Sequence, residues 1–229
     1  MNYGLWDDKI NDLAEANKNL INFVFKKSEL VDKPNLNILD VGCGYGEQDI
    51  EWLKIIENGY TINSNLVSNV EIGAGTVIDS HAVIEGPTKI GKNNHIYSFA
   101  SIGGDPQDIT YQEGQESNLV IGDDNLIREF CTINRGTEKE NSLTRIGSNN
   151  MLMSYVHIAH DCQLGNHIIM SNNASLAGHV RISDWAILGG FALVKQFCNI
   201  GRHTYAGMGC QINKDIPDYM VASGIHPKI

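Results

Sequence analysis

The sequence predicts an all-β fold, a parallel β-helix built from hexapeptides, with a short α/β segment before it. The first observation is a six-residue beat. From Ile146 onward every sixth residue is apolar or small: Leu152, Ile158, Leu164, Met170, Leu176, Ile182, Leu188, Val194, Ile200, Ala206 and Ile212. The same beat runs from Leu66 through Ile72, Ile78, Ile84, Ile90 and Ile96 to Ile102, then through Ile121, Ile127 and Ile133. The second observation is the glycine that follows several of these residues, at Gly73, Gly91, Gly122, Gly147 and Gly201. A period of six is neither the helix period nor strand alternation. Stacked hexapeptides produce it, each supplying a short strand and a turn, with three closing one triangular coil.

The chain divides into unlike pieces. Residues 1–58 do not follow the beat. Ile10, Leu13, Leu20, Val24 and Phe25 predict an amphipathic helix. Asn37–Val41 then read as a buried strand that enters a turn at Gly42, Gly44 and Gly46, and residues 47–57 read as a helix. This stretch resembles the first strand, loop and helix of class I S-adenosylmethionine-dependent methyltransferases. It covers one β-α unit only, where a working domain of that kind needs further strands and a ribose-binding acid. It reads as a fusion remnant, or a cap on the open end of the β-helix. The β-helix occupies residues 59–216, and 217–229 form a tail that leaves the pattern. The phase breaks twice, between Ile102 and Ile121 and between Ile133 and Ile146. Both breaks predict protruding loops, where function concentrates on a rigid scaffold.

Composition narrows the function. The net charge of −10 argues against nucleic-acid binding and against an anionic membrane surface. No run of eighteen apolar residues predicts a membrane span, and the polar, acidic start has no leader pattern. Five cysteines, odd in number and without a CxxC pair, predict free thiols in a cytoplasmic protein.

Coil geometry brings distant residues together. Positions eighteen apart stack on adjacent coils about 4.8 Å apart. His160, Gly178 and Gln196 therefore form one column, with Asp161, His179 and Phe197 beside it. Lys195 stacks over Ala177 and Ala159. One edge of the prism is thus rich in groups able to do chemistry.

The words along that edge are specific. They are Ser101-Ile102-Gly103, Pro106-Gln107-Asp108, Thr132-Ile133-Asn134-Arg135-Gly136-Thr137 and His157-Ile158-Ala159-His160-Asp161-Cys162. Asn172 to Val180 and Gln196-Phe197-Cys198 follow. With them, residues 61–225 closely resemble the bacterial UDP-N-acetylglucosamine O-acyltransferases that open lipid A biosynthesis. The resemblance implies a left-handed β-helix, a homotrimer with sites between subunits, and transfer of a 3-hydroxyacyl chain from acyl carrier protein to UDP-N-acetylglucosamine. It implies His160 as general base, Asp161 as its support and the Gly178 N–H as oxyanion donor. Gln107, Asp108, His157, His179, Lys195 and Gln196 match substrate-contacting positions, and Met208 matches the acyl-chain ruler. Methionine there implies a short donor of about ten carbons. No cofactor or metal is implied; the acyl carrier protein thioester is the donor substrate.

The chain also departs from the pattern. Asn134 and Lys195 stand where some members carry histidine, and Thr110 where lysine is frequent. The first coil is replaced by residues 1–58, and the C-terminal helical domain is not matched. Three rival readings stand beside the acyltransferase. They are a catalytically impaired trimeric scaffold from a truncated fused copy, another hexapeptide sugar acyltransferase, and a zinc hydrase using His157, His160 and His179.

Overall fold

The computed structural model describes residues 65, 66 and 69–225. The helix and the glycine-rich strand–turn–helix expected in residues 1–58 lie outside them. Within the described residues the fold is a left-handed parallel β-helix, an exception to the usual right-handed crossover. Every strand pairs in parallel with the strand one coil away.

Three sheets form the faces of the prism. The first stacks Asn65–Leu66, Val83–Ile84, Ser101–Gly104, Thr132–Asn134, His157–Ile158, Ser175–Leu176, Leu193–Val194 and Gln211–Ile212. The second runs from Val70–Ile72 to Asn199–Ile200, and the third from Val77–Ile78 to Val221–Ala222. The register follows the eighteen-residue spacing, with His157 opposite Ser175 and Ser175 opposite Leu193. The expected columns are therefore present.

Each coil has two kinds of inward position. The beat residues from Ile78 to Ile212 point inward and are almost fully buried. A second series of smaller residues fills the corners, including Ala82, Ala100, Cys131, Cys162, Ala174, Ala186, Ala192, Cys198 and Cys210. These four cysteines are free and buried. Burial pushes the Cys131 and Cys162 thiols up to about 12, which removes them as nucleophiles at neutral pH.

The corners require left-handed backbone, and the chain supplies it mostly without glycine. Tyr155, Asp161, His167, Asn173, His179, Trp185, Phe191 and Phe197 all have φ between 57° and 67°. Such values are uncommon for side-chain-bearing residues. Stacking between coils offsets the cost. His167, Trp185, His203 and Tyr219 form one ladder, and Phe99, Phe130 and Tyr155 another.

The two phase breaks are loops, as expected, and they are pinned to each other. The buried Arg135 guanidinium donates to the Gly103 carbonyl, to Asp105 and to Ser117. Ser117 Oγ donates to the Gly136 carbonyl at 2.7 Å. Beyond residue 216 the structure adds the strand Val221–Ala222, paired with Tyr205–Ala206. The sequence beat conceals it because Ile216 follows Ile212 after four positions instead of six. Ile216 nonetheless bridges to Ile200, and Ala222 returns inward six residues later.

Candidate active site

The corner between the first and second sheets carries the site. The strand His157–Ile158 turns there through His160 and Asp161 into Gln163–Leu164. The His157 side chain faces out from the first sheet, and its Nδ1 lies 2.7 Å from Thr132 Oγ1 on the coil below. Burial, with a smaller contribution from neighbouring His160, lowers the pKa of His157 and favours its neutral ring.

Asp161 anchors the constellation. It is 2% exposed, and both carboxylate oxygens are engaged. Oδ1 accepts the Thr137 N–H at 2.8 Å, and Oδ2 accepts the Thr137 hydroxyl at 2.6 Å. Oδ2 also lies 2.9 Å from His160 Nδ1. The Asp161 N–H donates to Thr144 Oγ1 at 2.8 Å. Burial alone would raise this carboxyl, but the hydrogen bonds from His160 and Thr137 outweigh it and hold the pKa below its ordinary value. An ionised carboxylate only accepts, so His160 Nδ1 must carry the proton in this contact. In the neutral ring the lone pair then sits on Nε2.

Two groups flank that ring. His179 meets it edge-on, with centroids 5.1 Å apart, and its Nε2 is 3.7 Å from Asp161 Oδ2. Phe197 stacks above His179, with ring centroids 4.5 Å apart. On the other side Asp108 Oδ2 is 3.9 Å from His160 Nε2. Asp108 belongs to the first protruding loop and is held there by Lys139 at 2.7 Å and by the Thr110 N–H and hydroxyl at 2.8 Å each. Those bonds, Lys139 foremost, keep its carboxyl well below the usual range.

Gly178 lies one coil above His160. Its φ is not in the left-handed region, so freedom of backbone is not the reason for glycine. Space is. A Cβ at this position would stand 2.5 Å from His160 Cε1 and 2.8 Å from Nε2. The imidazole packs over the bare Cα. Among the described residues no acceptor takes the Gly178 N–H. The same holds at the matching turn position of the next coil, Gln196, so what distinguishes Gly178 is the imidazole beside it.

Other residues expected at the site are placed further from this cluster or make fewer contacts. Gln107, Lys195 and Gln196 are exposed, and no side-chain hydrogen bond fixes them among the described residues. Met208 is 78% exposed at the corner between the third and first sheets. Arg135 is committed to pinning the loops and does not face the cluster. Sequence reasoning missed Thr137, Lys139, Glu140 and Thr144. Only the phase break before Ile146 and the Thr132–Thr137 word signalled that chain would cross here. His160, Asp161 and His179 offer ligand atoms within 4.8 Å of one another. Within the trio only His160 and Asp161 are hydrogen-bonded, and both Asp161 oxygens are already taken by Thr137 and His160.

A left-handed hexapeptide prism with a carboxylate-held imidazole at one corner defines the class of hexapeptide transferases. Residues 69–104 and 143–178 match the family described as Bacterial transferase hexapeptide (six repeats). The chain belongs, more narrowly, to the UDP-N-acetylglucosamine acyltransferase family. It is 58% identical over 155 residues to the acyl-[acyl-carrier-protein]–UDP-N-acetylglucosamine O-acyltransferase of Saccharophagus degradans, over 68% of this chain and 60% of the relative. The Francisella novicida UDP-N-acetylglucosamine acyltransferase structure is 44% identical with a TM-score of 0.71, covering 72% of this chain and 61% of that one. The Campylobacter jejuni acyltransferase structure is 38% identical with a TM-score of 0.57, covering 72% of this chain and 69% of that one. The chain thus spans about three fifths of the length of the Saccharophagus and Francisella relatives.

Proposed function

We propose that this chain transfers a 3-hydroxyacyl group from acyl carrier protein to the 3-position of UDP-N-acetylglucosamine, the first step of lipid A biosynthesis. The observation that carries the reading is the His160–Asp161 pair. Its buried carboxylate fixes Nδ1–H and leaves Nε2 as the base.

His160 Nε2 takes the proton of the sugar 3-hydroxyl as that oxygen attacks the thioester carbonyl carbon. Asp161 stabilises the imidazolium that forms. The negative charge moves to the carbonyl oxygen, where the Gly178 N–H donates to it. Collapse of the tetrahedral intermediate breaks the carbon–sulfur bond, and the imidazolium returns its proton to the departing thiolate. Asp108 and His179 Nε2 accept hydrogen bonds from the sugar hydroxyls. Gln107, His157, Lys195 and Gln196 contribute further contacts to the sugar nucleotide or the carrier's prosthetic arm. Met208 stops the acyl groove and selects a donor of about ten carbons. The donor acyl carrier protein and the sugar nucleotide are substrates of a cytoplasmic enzyme that needs no cofactor. Among the described residues no helix is long and apolar enough to cross a membrane.

The working state is a homotrimer. The outward residues of the third sheet support it: Leu126, Met151, Ile169, Ile187, Tyr205 and Val221 form an apolar stripe.

The test is acyl transfer to UDP-N-acetylglucosamine from 3-hydroxyacyl carrier proteins of about ten to fourteen carbons. Turnover should favour the short chain. His160→Ala should lower kcat by about 10²–10⁴-fold, the range of a lost general base. Equal turnover of all donors would remove the ruler role from Met208. Undiminished turnover by His160→Ala would remove the base.

A further inference from the structure

The loop of residues 137–142 does more than bridge the second phase break. Thr137, Lys139 and Glu140 each hold a different group around His160. Thr137 binds both oxygens of Asp161, on the Nδ1 side of the ring. Lys139 Nζ lies 2.7 Å from Oδ2 of Asp108, the same oxygen that faces His160 Nε2. Glu140 Oε2 lies 2.9 Å from Nδ1 of His179, the ring that meets His160 edge-on. Glu140 is in turn held by Arg181 at 2.8 Å.

We infer that this loop is a strap, with Lys139 and Glu140 as positioning residues that set the pocket for the acceptor sugar nucleotide. The inference rests on the reading of this corner as the UDP-N-acetylglucosamine site.

The backbone makes the strap one unit. Ser142 N–H donates to the Thr137 carbonyl at 3.0 Å, which closes the loop on itself. Gly136 N–H donates to the Asn118 carbonyl at 3.0 Å, which roots it on the neighbouring coil. A Cβ at Gly136 would collide with the Ser142–Leu143 backbone, so the loop enters at a point only glycine fits.

Each tether acts on a group that could otherwise turn away. Asp108 sits on a protruding loop, and a carboxylate facing the lone pair of a neutral imidazole is repelled by it. Lys139 draws the charge of that carboxylate and keeps the oxygen 3.9 Å from Nε2, close enough for one hydroxyl beside the pair to reach both. Glu140 accepts from His179 Nδ1–H and so directs His179 Nε2 inward, toward Asp161. Opposite charges on adjacent residues thus reach opposite flanks of one base. Lys139 and Glu140 touch neither His160 nor the reacting atoms, so their effect is on acceptor binding.

The experiment compares Lys139→Met, Glu140→Gln, Lys139→Arg and Asn141→Ala in the full chain. Each of the first two should raise the KM for UDP-N-acetylglucosamine about tenfold, the value of one charge-assisted hydrogen bond. The KM for acyl carrier protein and the melting temperature should stay at wild-type values. Lys139→Arg should restore the acceptor KM, and Asn141→Ala should leave every parameter unchanged. An unchanged acceptor KM in both variants overturns the strap. So does a parallel loss of acceptor affinity, carrier affinity and melting temperature, which marks a merely structural loop. Imidazole ¹⁵N spectra of the ligand-free protein separate this inference from the functional reading. They should show one fixed His179 tautomer protonated at Nδ1, lost in Glu140→Gln. If wild-type protein binds no UDP-N-acetylglucosamine while those spectra behave so, the substrate reading fails and only the strap's hold on His179 stands. Identical spectra in both proteins overturn the strap.

Discussion

Gly178 shows how one missing side chain shapes the site. Its hydrogen atom occupies the place where a methyl group would meet the His160 ring. His160 cannot retreat, because its Nδ1 is tied to the Asp161 carboxylate, which Thr137 holds, while Thr144 holds the Asp161 N–H. Gly178→Ala must therefore rotate the imidazole or break that tie. A displacement of about 1 Å at a catalytic group costs on the order of 100-fold in rate. The variant should lose about that factor in kcat/KM in the acyl-transfer assay. Its melting temperature should barely change, because the φ is accessible to alanine and the site lies at a surface corner. A large fall in melting temperature with intact kcat/KM in the folded fraction would assign Gly178 to coil packing instead. The stacking of residues 160 and 178 was legible from their spacing. That the ring lies over the glycine Cα was not, since a column specifies neighbours and not side-chain rotation.

At the scale of elements, the coils use two interior fillings. Most of the core is apolar, but one corner near the middle contains a buried amide ladder. Asn94 Oδ1 accepts from Asn125 N and Nδ2 at 2.9 Å each, and Asn125 Oδ1 accepts from Asn150 N at 2.9 Å. Asn150 Oδ1 then accepts the Ile168 N–H at 2.7 Å, where the ladder ends in an apolar side chain. Each amide also donates to a carbonyl of the next coil, Gly122, Gly147 and Gly165 in turn. Asn125→Ala removes the middle rung. It leaves the Asn150 N–H and the Gly147 carbonyl buried without their partners, while Asn94 Oδ1 keeps the backbone N–H of residue 125 and loses only its second donor. At about 1–3 kcal/mol for a buried group left unsatisfied, the two groups should cost about 2 kcal/mol or more. Chemical denaturation measures it, and a loss below about 1 kcal/mol would mean that water replaces the rung. The beat made the coils legible because one inward residue recurs at fixed spacing, so the strands from Val70 to Gln211 followed from the sequence. The ladder did not, since asparagine at a turn reads as solvent-facing. The strap was hidden for a related reason. A break in phase marks where chain leaves the prism, but not which groups it crosses to reach.

At the scale of the whole molecule the three faces differ in chemistry. The second sheet points Glu71, Lys89, Arg145, Gln163, Arg181 and Asn199 outward, a solvated face. The third points Leu126, Met151, Ile169, Ile187, Tyr205 and Val221 outward in one continuous line. A contiguous apolar stripe on a chain of net charge −10 marks a contact surface rather than a solvated one. Cyclic symmetry can cover such a face with a different face of the next copy and still close after three copies. Ile187 lies mid-stripe, and its side chain is partly covered already within one chain. Ile187→Glu would place an unpaired carboxylate in the contact, at a cost of several kcal/mol on each of three interfaces. Wild-type protein should elute as a trimer by size-exclusion chromatography with light scattering, and the variant as a monomer with its coils intact by circular dichroism. A trimeric variant would move the interface to another face. The acyl-transfer rate of a monomeric variant is equally informative. His160, Asp161, Gly178 and the strap all belong to one chain, so the proposed base and its supports persist without a partner. Loss of turnover in a folded monomer would mean that a neighbouring copy completes the binding of acceptor or donor. Retained turnover would mean that one prism corner suffices for the chemistry and that trimerisation serves stability alone.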